Sequence, residues 1–128
     1  MEYGTNIHYL LETTDFINPN YDNLTNNEID IIKSLLNNEL FKNIKDANIF
    51  KEYEFIEETD NETKTGIIDL MLEYQDHIDI IDYKLKHIDD TAYINQLNGY
   101  KNYIHNLTNK PVNTYLYSIL DKKLFKLD

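Results

Sequence analysis

Hydrophobic and polar positions change period three times along this chain. Residues 4–16 (GTNIHYLLETTDF) carry Ile7, Leu10, Leu11 and Thr14 at i, i+3, i+4, i+7 spacing, which predicts a short helix. Residues 17–24 (INPNYDNL) predict a loop around Pro19. Thr25 and Glu28 then make a capping box, with Leu24 and Ile29 as a hydrophobic staple. The second helix that follows shows Ile29, Ile32, Leu35 and Leu36 as its apolar stripe and fades near Asn37 and Asn38. From residue 48 the pattern alternates. Residues 48–57 and 66–74 predict two strands joined by the polar stretch 58–64, and 77–84 predict a third. The second is apolar on both faces, Ile67–Asp69–Met71 and Ile68–Leu70–Leu72, as in a strand covered on both sides. Helical period returns over 91–107. There Ile94, Leu97, Ile104 and Leu107 make a core stripe, and Tyr93, Gln96, Tyr100 and Tyr103 an adjacent polar–aromatic one. Residues 112–120 predict a fourth strand, and the tail adds a short edge strand.

The predicted order is α-α-β-β-β-α-β, an α/β fold with a mixed central sheet flanked by helices. A length of 128 residues suits a single domain, 1–128, with enough chain for a real core. No cysteine is present, which excludes a disulfide scaffold, a zinc ribbon and a thiolate-held iron–sulfur cluster. No apolar run approaches the ~20 residues that span a bilayer, and the first residues lack a basic n-region. A soluble cytoplasmic domain with no membrane partner is the default expectation. The net charge of -11, with 23 acidic residues and lysine as the only strong base, opposes nucleic-acid binding at first sight.

Two positions break the strand pattern. Asp69 stands mid-strand between Ile68 and Leu70, and Asp82 ends the next strand with Lys84 two residues on, on the same face. Neighbouring strands bring two such carboxylates within reach of one ion, and buried like charges need a cation. Mg²⁺ takes hard oxygen ligands and keeps several waters. With a lysine beside it, the set suits phosphodiester hydrolysis: a Lewis acid, a water as nucleophile, and an ammonium for the charge that grows on phosphorus. Asp79 falls on the opposite strand face and is expected at the surface or facing a helix. His77, His87 and His105 match no motif and are expected to be structural or exposed.

G-I-I-D ending at Asp69, then D-Y-K from Asp82, resembles the PD-(D/E)xK nuclease superfamily, and in particular the RecB/AddA-type nuclease domain. The resemblance runs over nearly the whole chain. Gly4, Thr5 and His8, followed by Leu10, Leu11 and Phe16, resemble the family's first motif, which implies His8 as a metal ligand. Glu52 resembles the glutamate of the preceding strand, in competition with Glu54 on the same face, and a solvated acidic face is an equal reading. Asp69 and Asp82 match the metal-binding aspartates, Lys84 the catalytic lysine, and the Tyr83 backbone carbonyl the completion of the metal shell. Gln96 and Tyr100 resemble the Q-x₃-Y motif that positions DNA.

The resemblance implies a restriction-endonuclease-like core and a Mg²⁺-dependent deoxyribonuclease, with Mn²⁺ as a substitute and no iron–sulfur cluster. It also implies a place at the C-terminal end of a longer DNA-repair helicase–nuclease, although no GxxxxGK[ST] motor motif occurs in these residues. The acidity then implies single-stranded DNA delivered by a helicase or partner subunit. Two rivals remain: a catalytically silent DNA-binding or assembly module, and a standalone structure-specific endonuclease.

Overall fold

The computed structural model describes residues 2–86 and 91–127. The described residues form an α/β fold with three α-helices and one five-stranded mixed sheet. Helix α1 (Glu2–Thr13) and helix α2 (Asn26–Leu36) come first, then two short 3₁₀ turns, Glu39–Phe41 and Ile44–Asp46. Strands β1 (Asn48–Glu58), β2 (Thr63–Glu73) and β3 (Ile78–Lys84) follow, then helix α3 (Thr91–Thr108), β4 (Val112–Ser118) and β5 (Lys123–Lys126). The strands lie in the order β1-β2-β3-β4-β5, antiparallel except for the β3–β4 pair, which α3 connects. A parallel pair needs such a crossover, because a tight turn cannot reverse the chain twice.

The capping box is present at the start of α2. Glu28 N–H donates to Thr25 Oγ1 at 3.1 Å, and Thr25 N–H donates to Glu28 Oε1 at 2.8 Å. The buried face of α2 is Ile31, Ile32 and Leu35, so Ile31 takes the core place expected of Ile29. The α1 exit is braced from the sheet: the Lys51 ammonium donates to the Thr14 carbonyl and lies 3.8 Å from the Phe16 ring centre. Burial lowers the Lys51 pKa, against the pull of Asp15 and Glu12.

Each sheet face has its own core. Ile7, Leu10 and Leu11 of α1 and Ile31, Ile32 and Leu35 of α2 pack on Leu70, Leu72, Ile81 and Tyr83. Leu97, Tyr100 and Ile104 of α3 pack on Phe55, Ile68, Met71, Ile78 and Ile80. Leu107 is 60% exposed, and Tyr100 fills the core place expected of it. The reason is distance along the sheet: the aromatic group Phe55, Tyr100 and Tyr103 packs over the β1–β2 hairpin, with Phe55 and Tyr103 stacked at 4.3 Å.

Of the two places expected for Asp79, the surface one is ruled out: it is 2% exposed, accepting from Asn113 Nδ2 at 3.2 Å with His77 Nε2 at 3.4 Å. His77 in turn stacks on Tyr74 at 4.7 Å, and His105 Nδ1 lies 2.8 Å from the Lys110 carbonyl. His87 lies outside the described residues.

Gly66 faces the aromatic group at close range. A Cβ there would stand 2.6 Å from both Phe55 Cε1 and Tyr100 Cε1. The rings are wedged against one another, so Gly66→Ala overpacks the α3 face. It should destabilise the fold by about 1–3 kcal/mol, read as a lower urea midpoint with an unchanged slope. A midpoint equal to the parent's would show that the rings move aside freely.

Candidate metal centre

The carboxyl groups meet where the sheet opens. The β1–β2 ladder brackets Glu52 and Asp69 with the pairs Lys51↔Leu70 and Tyr53↔Ile68, which sets Glu52 across from Asp69. The β2–β3 ladder ends at Leu70↔Ile81. One residue further would pair Asp69 with Asp82, and there the strands part. The Tyr83 N–H donates at 2.9 Å to Asp69 Oδ2 in place of a ladder carbonyl. An extended residue turns its N–H and C=O the same way, so the Tyr83 carbonyl also faces this opening.

Local backbone geometry explains the turn of these groups. Glu52 adopts φ 49, a left-handed conformation that non-glycine residues rarely take. Strict alternation fails beside it. Leu70 and Leu72 pack on the α1–α2 side, whereas Ile68 packs with Met71 on the α3 side. Ile68 therefore does not share a face with Leu70 and Leu72, contrary to the sequence pattern. The slip of one residue falls at Asp69.

Helices approach the opening from both sides. His8 of α1 places Nε2 3.1 Å from Asp69 Oδ2 and sets its ring edge-on to Tyr83. Tyr93 of α3 donates its hydroxyl to Asp82 Oδ2. Lys84 Nζ stands 3.8 Å from the same oxygen and 4.5 Å from the centre of the Tyr93 ring. The aspartates are largely covered, at 11% and 13% side-chain exposure, while Lys84 is open to solvent at 47%. Gln96 is exposed one turn before Tyr100, whose hydroxyl lies against the Ile67 backbone and the Gln96 side chain.

A cavity of about 330 Å³ collects His8, Asp69, Asp82, Lys84, Gln96 and Tyr100 on its wall, with Thr65, Gly66 and Ile67. Six of the eight positions singled out from the sequence thus line one hollow. Tyr83 contributes backbone beside it. Glu52 does not line the cavity and stands behind Asp69. The sequence reading missed Tyr93, which was visible only as part of the Tyr93–Gln96–Tyr100 stripe. A larger hollow of about 1060 Å³ lies elsewhere, lined in part by His77, Asp79 and Phe125. Its buried carboxylate, Asp79, accepts from Asn113.

The carboxyls share their charge unevenly. Burial acts to raise Asp69, yet the hydrogen bonds from His8 and from the Tyr83 N–H outweigh it and hold this group below its ordinary value. Burial, and then the charge of Asp69, push Asp82 up to about 7 against the Tyr93 hydroxyl. Burial and Asp69 likewise push Glu52 up to about 7. Hard oxygen donors with one imidazole, crowded until two of three resist ionisation, are a donor set that Mg²⁺ or Mn²⁺ suits. As placed, no three described His, Asp or Glu side chains form a finished ligand cage. His8 Nε2 already lies against Asp69 Oδ2, and Asp82 Oδ2 already accepts the Tyr93 hydroxyl.

No family model matches the chain, and no curated protein matches it. Among the described residues, no helix is long and apolar enough to cross a membrane.

The crowding has a measurable sign. Burial and the charge of Asp69 push Asp82 up to about 7 in the fold, above its ordinary 3.8. Between those values the folded chain holds a proton that the unfolded chain has lost, so stability falls as pH rises through this window. Without divalent cations, Asp82→Asn should therefore stabilise the fold at pH 8 by something on the order of 2 kcal/mol, and by less at pH 5. Urea unfolding at both values measures this. Equal midpoints for parent and variant at pH 8 would remove the repulsion.

Proposed function

We propose that this chain is a metal-dependent DNA nuclease with a restriction-endonuclease-like core, similar to the RecB/AddA-type nuclease domains. The observation that carries the reading is the joint wall formed by Asp69, Asp82, Lys84 and His8 at the point where β2 and β3 part. Two adjacent, largely covered carboxyl groups are costly as a packing device even when hydrogen-bonded, since burial disfavours their charged forms. They suit a site that takes a cation and a phosphate.

His8, Asp69, Asp82 and the Tyr83 carbonyl would hold Mg²⁺ or Mn²⁺, with Glu52 behind Asp69 as an outer acid. The ion supplies Lewis acidity at the scissile phosphoryl group and favours ionisation of water. The remaining work falls to the chain. Lys84, anchored beside Asp82, positions the attacking water and offsets the negative charge that grows on phosphorus in the transition state. Gln96 and Tyr100 orient the strand along the cavity. Attack is in line with the leaving oxygen, which departs with a proton from solvent, and no covalent bond to the protein forms.

A net charge of -11 without arginine gives little free attraction for DNA. The domain is therefore suited to a single strand brought to it by a helicase or partner subunit.

The test is direct. With Mn²⁺ or Mg²⁺, the purified chain should degrade or nick end-labelled single-stranded DNA, and chelation should stop it. Asp82→Ala should abolish cleavage, and Lys84→Met should lower the rate by roughly 10²-fold or more. Full activity in Asp82→Ala would remove the site assignment. Calorimetry that finds no stoichiometric Mn²⁺ site would favour a silent binding module instead.

A further inference from the structure

Tyr93 stands at the junction of the two groups that the proposed reaction asks most of. Its hydroxyl donates to Asp82 Oδ2. Its ring face carries Lys84 Nζ at 4.5 Å. The same ammonium lies 3.8 Å from the same Asp82 oxygen. Three side chains from β3 and α3 thus close a triangle on one oxygen atom.

Each edge of that triangle removes a freedom the site cannot tolerate. Lysine has a flexible four-carbon stem, and at 47% exposure Lys84 has room to swing into solvent. An aromatic face attracts an ammonium and narrows where it sits. Asp82 has two oxygens, and a donor held on Oδ2 restricts rotation of the carboxylate, which would orient it for a cation. Such outer partners orient the groups that do touch an ion. Tyr93 begins two residues into α3, so the helix sets its position independently of β3.

We infer that Tyr93 is a positioning residue that holds the Lys84 ammonium and the Asp82 carboxylate in their working arrangement. The inference rests on the nuclease reading above. It assigns Tyr93 no contact with the reacting atoms.

Two variants separate the two contacts. Tyr93→Phe keeps the ring face and removes the bond to Asp82. Tyr93→Leu removes both. In single-stranded DNA cleavage with Mn²⁺, Tyr93→Phe should lower kcat about tenfold with KM for DNA unchanged, and Tyr93→Leu should lower it about tenfold again. Two readouts do not depend on turnover. The Lys84 ε-methylene protons should be shifted upfield by the ring in the parent and in Tyr93→Phe, and should return to ordinary values in Tyr93→Leu. Mn²⁺ affinity by calorimetry should weaken about tenfold in Tyr93→Phe. A merely structural tyrosine would move the unfolding midpoint and leave the Lys84 resonances and the Mn²⁺ affinity of the folded variants alone. A Tyr93→Phe chain that matches the parent in kcat and in Mn²⁺ affinity overturns the inference while the parent still cleaves. Lys84 resonances equal in parent and Tyr93→Leu overturn it as well. A parent that cleaves nothing under any of these metals overturns the nuclease reading itself.

Discussion

Two carboxyl groups that must sit side by side govern the centre of this molecule. Asp69 and Asp82 occupy the positions that would be the next rung of the β2–β3 ladder. Burial and the charge of Asp69 make Asp82 resist ionisation, and the two carboxyl groups hydrogen-bond to each other. The strands part at this rung. The Tyr83 amide turns to Asp69, His8 and Tyr93 reach in from the two covering helices, and Glu52 takes a left-handed backbone beside them. What holds the opening is thus hydrogen bonding to carboxylates, which is stronger than bonding between neutral groups.

This arrangement carries a cost that apolar packing offsets. Both helical layers are anchored on the residues that flank the acids, Leu70, Ile81 and Tyr83 in the α1–α2 core and Ile68 in the α3 core. The aromatic group at Phe55, Tyr100 and Tyr103 ties α3 to the β1–β2 hairpin. A glycine at 66 lets the rings come in close. Tyr100 is consequently both a core residue and part of the cavity wall, so packing of the hairpin sets the shape of the site. The acidic composition gives the domain little electrostatic attraction for a polyanion.

Much of the fold was legible in the residues because local signals agreed with one another. The capping box at Thr25 and Glu28, the alternation over 48–57 and the helical spacing over 91–107 each reflect short-range geometry, and helices and strands lie there. Where the reading failed, a distant partner decided the outcome. Leu107 has the right spacing for the core but no sheet beneath it. Ile31 replaces Ile29 because α1 and the strands approach α2 from that side. Asp79, expected at the surface or facing a helix, is buried because Asn113 on the parallel neighbour and His77 after the turn supply it with partners inside the protein.

The sequence by itself determined the element types and most of their positions, the presence of two acids and a lysine where strands should be apolar, and the excess of negative charge. These depend on neighbours a few residues apart and on counting. The tertiary structure alone decided that Asp69 faces Asp82 across an unpaired rung, that the strand alternation slips at that point, and that His8 and Tyr93 each bond a different acid. Contacts between residues 8 and 69, or 82 and 93, depend on strand register and on how two helices dock. Those are set by the packing of both cores together, and no periodicity within one segment encodes them.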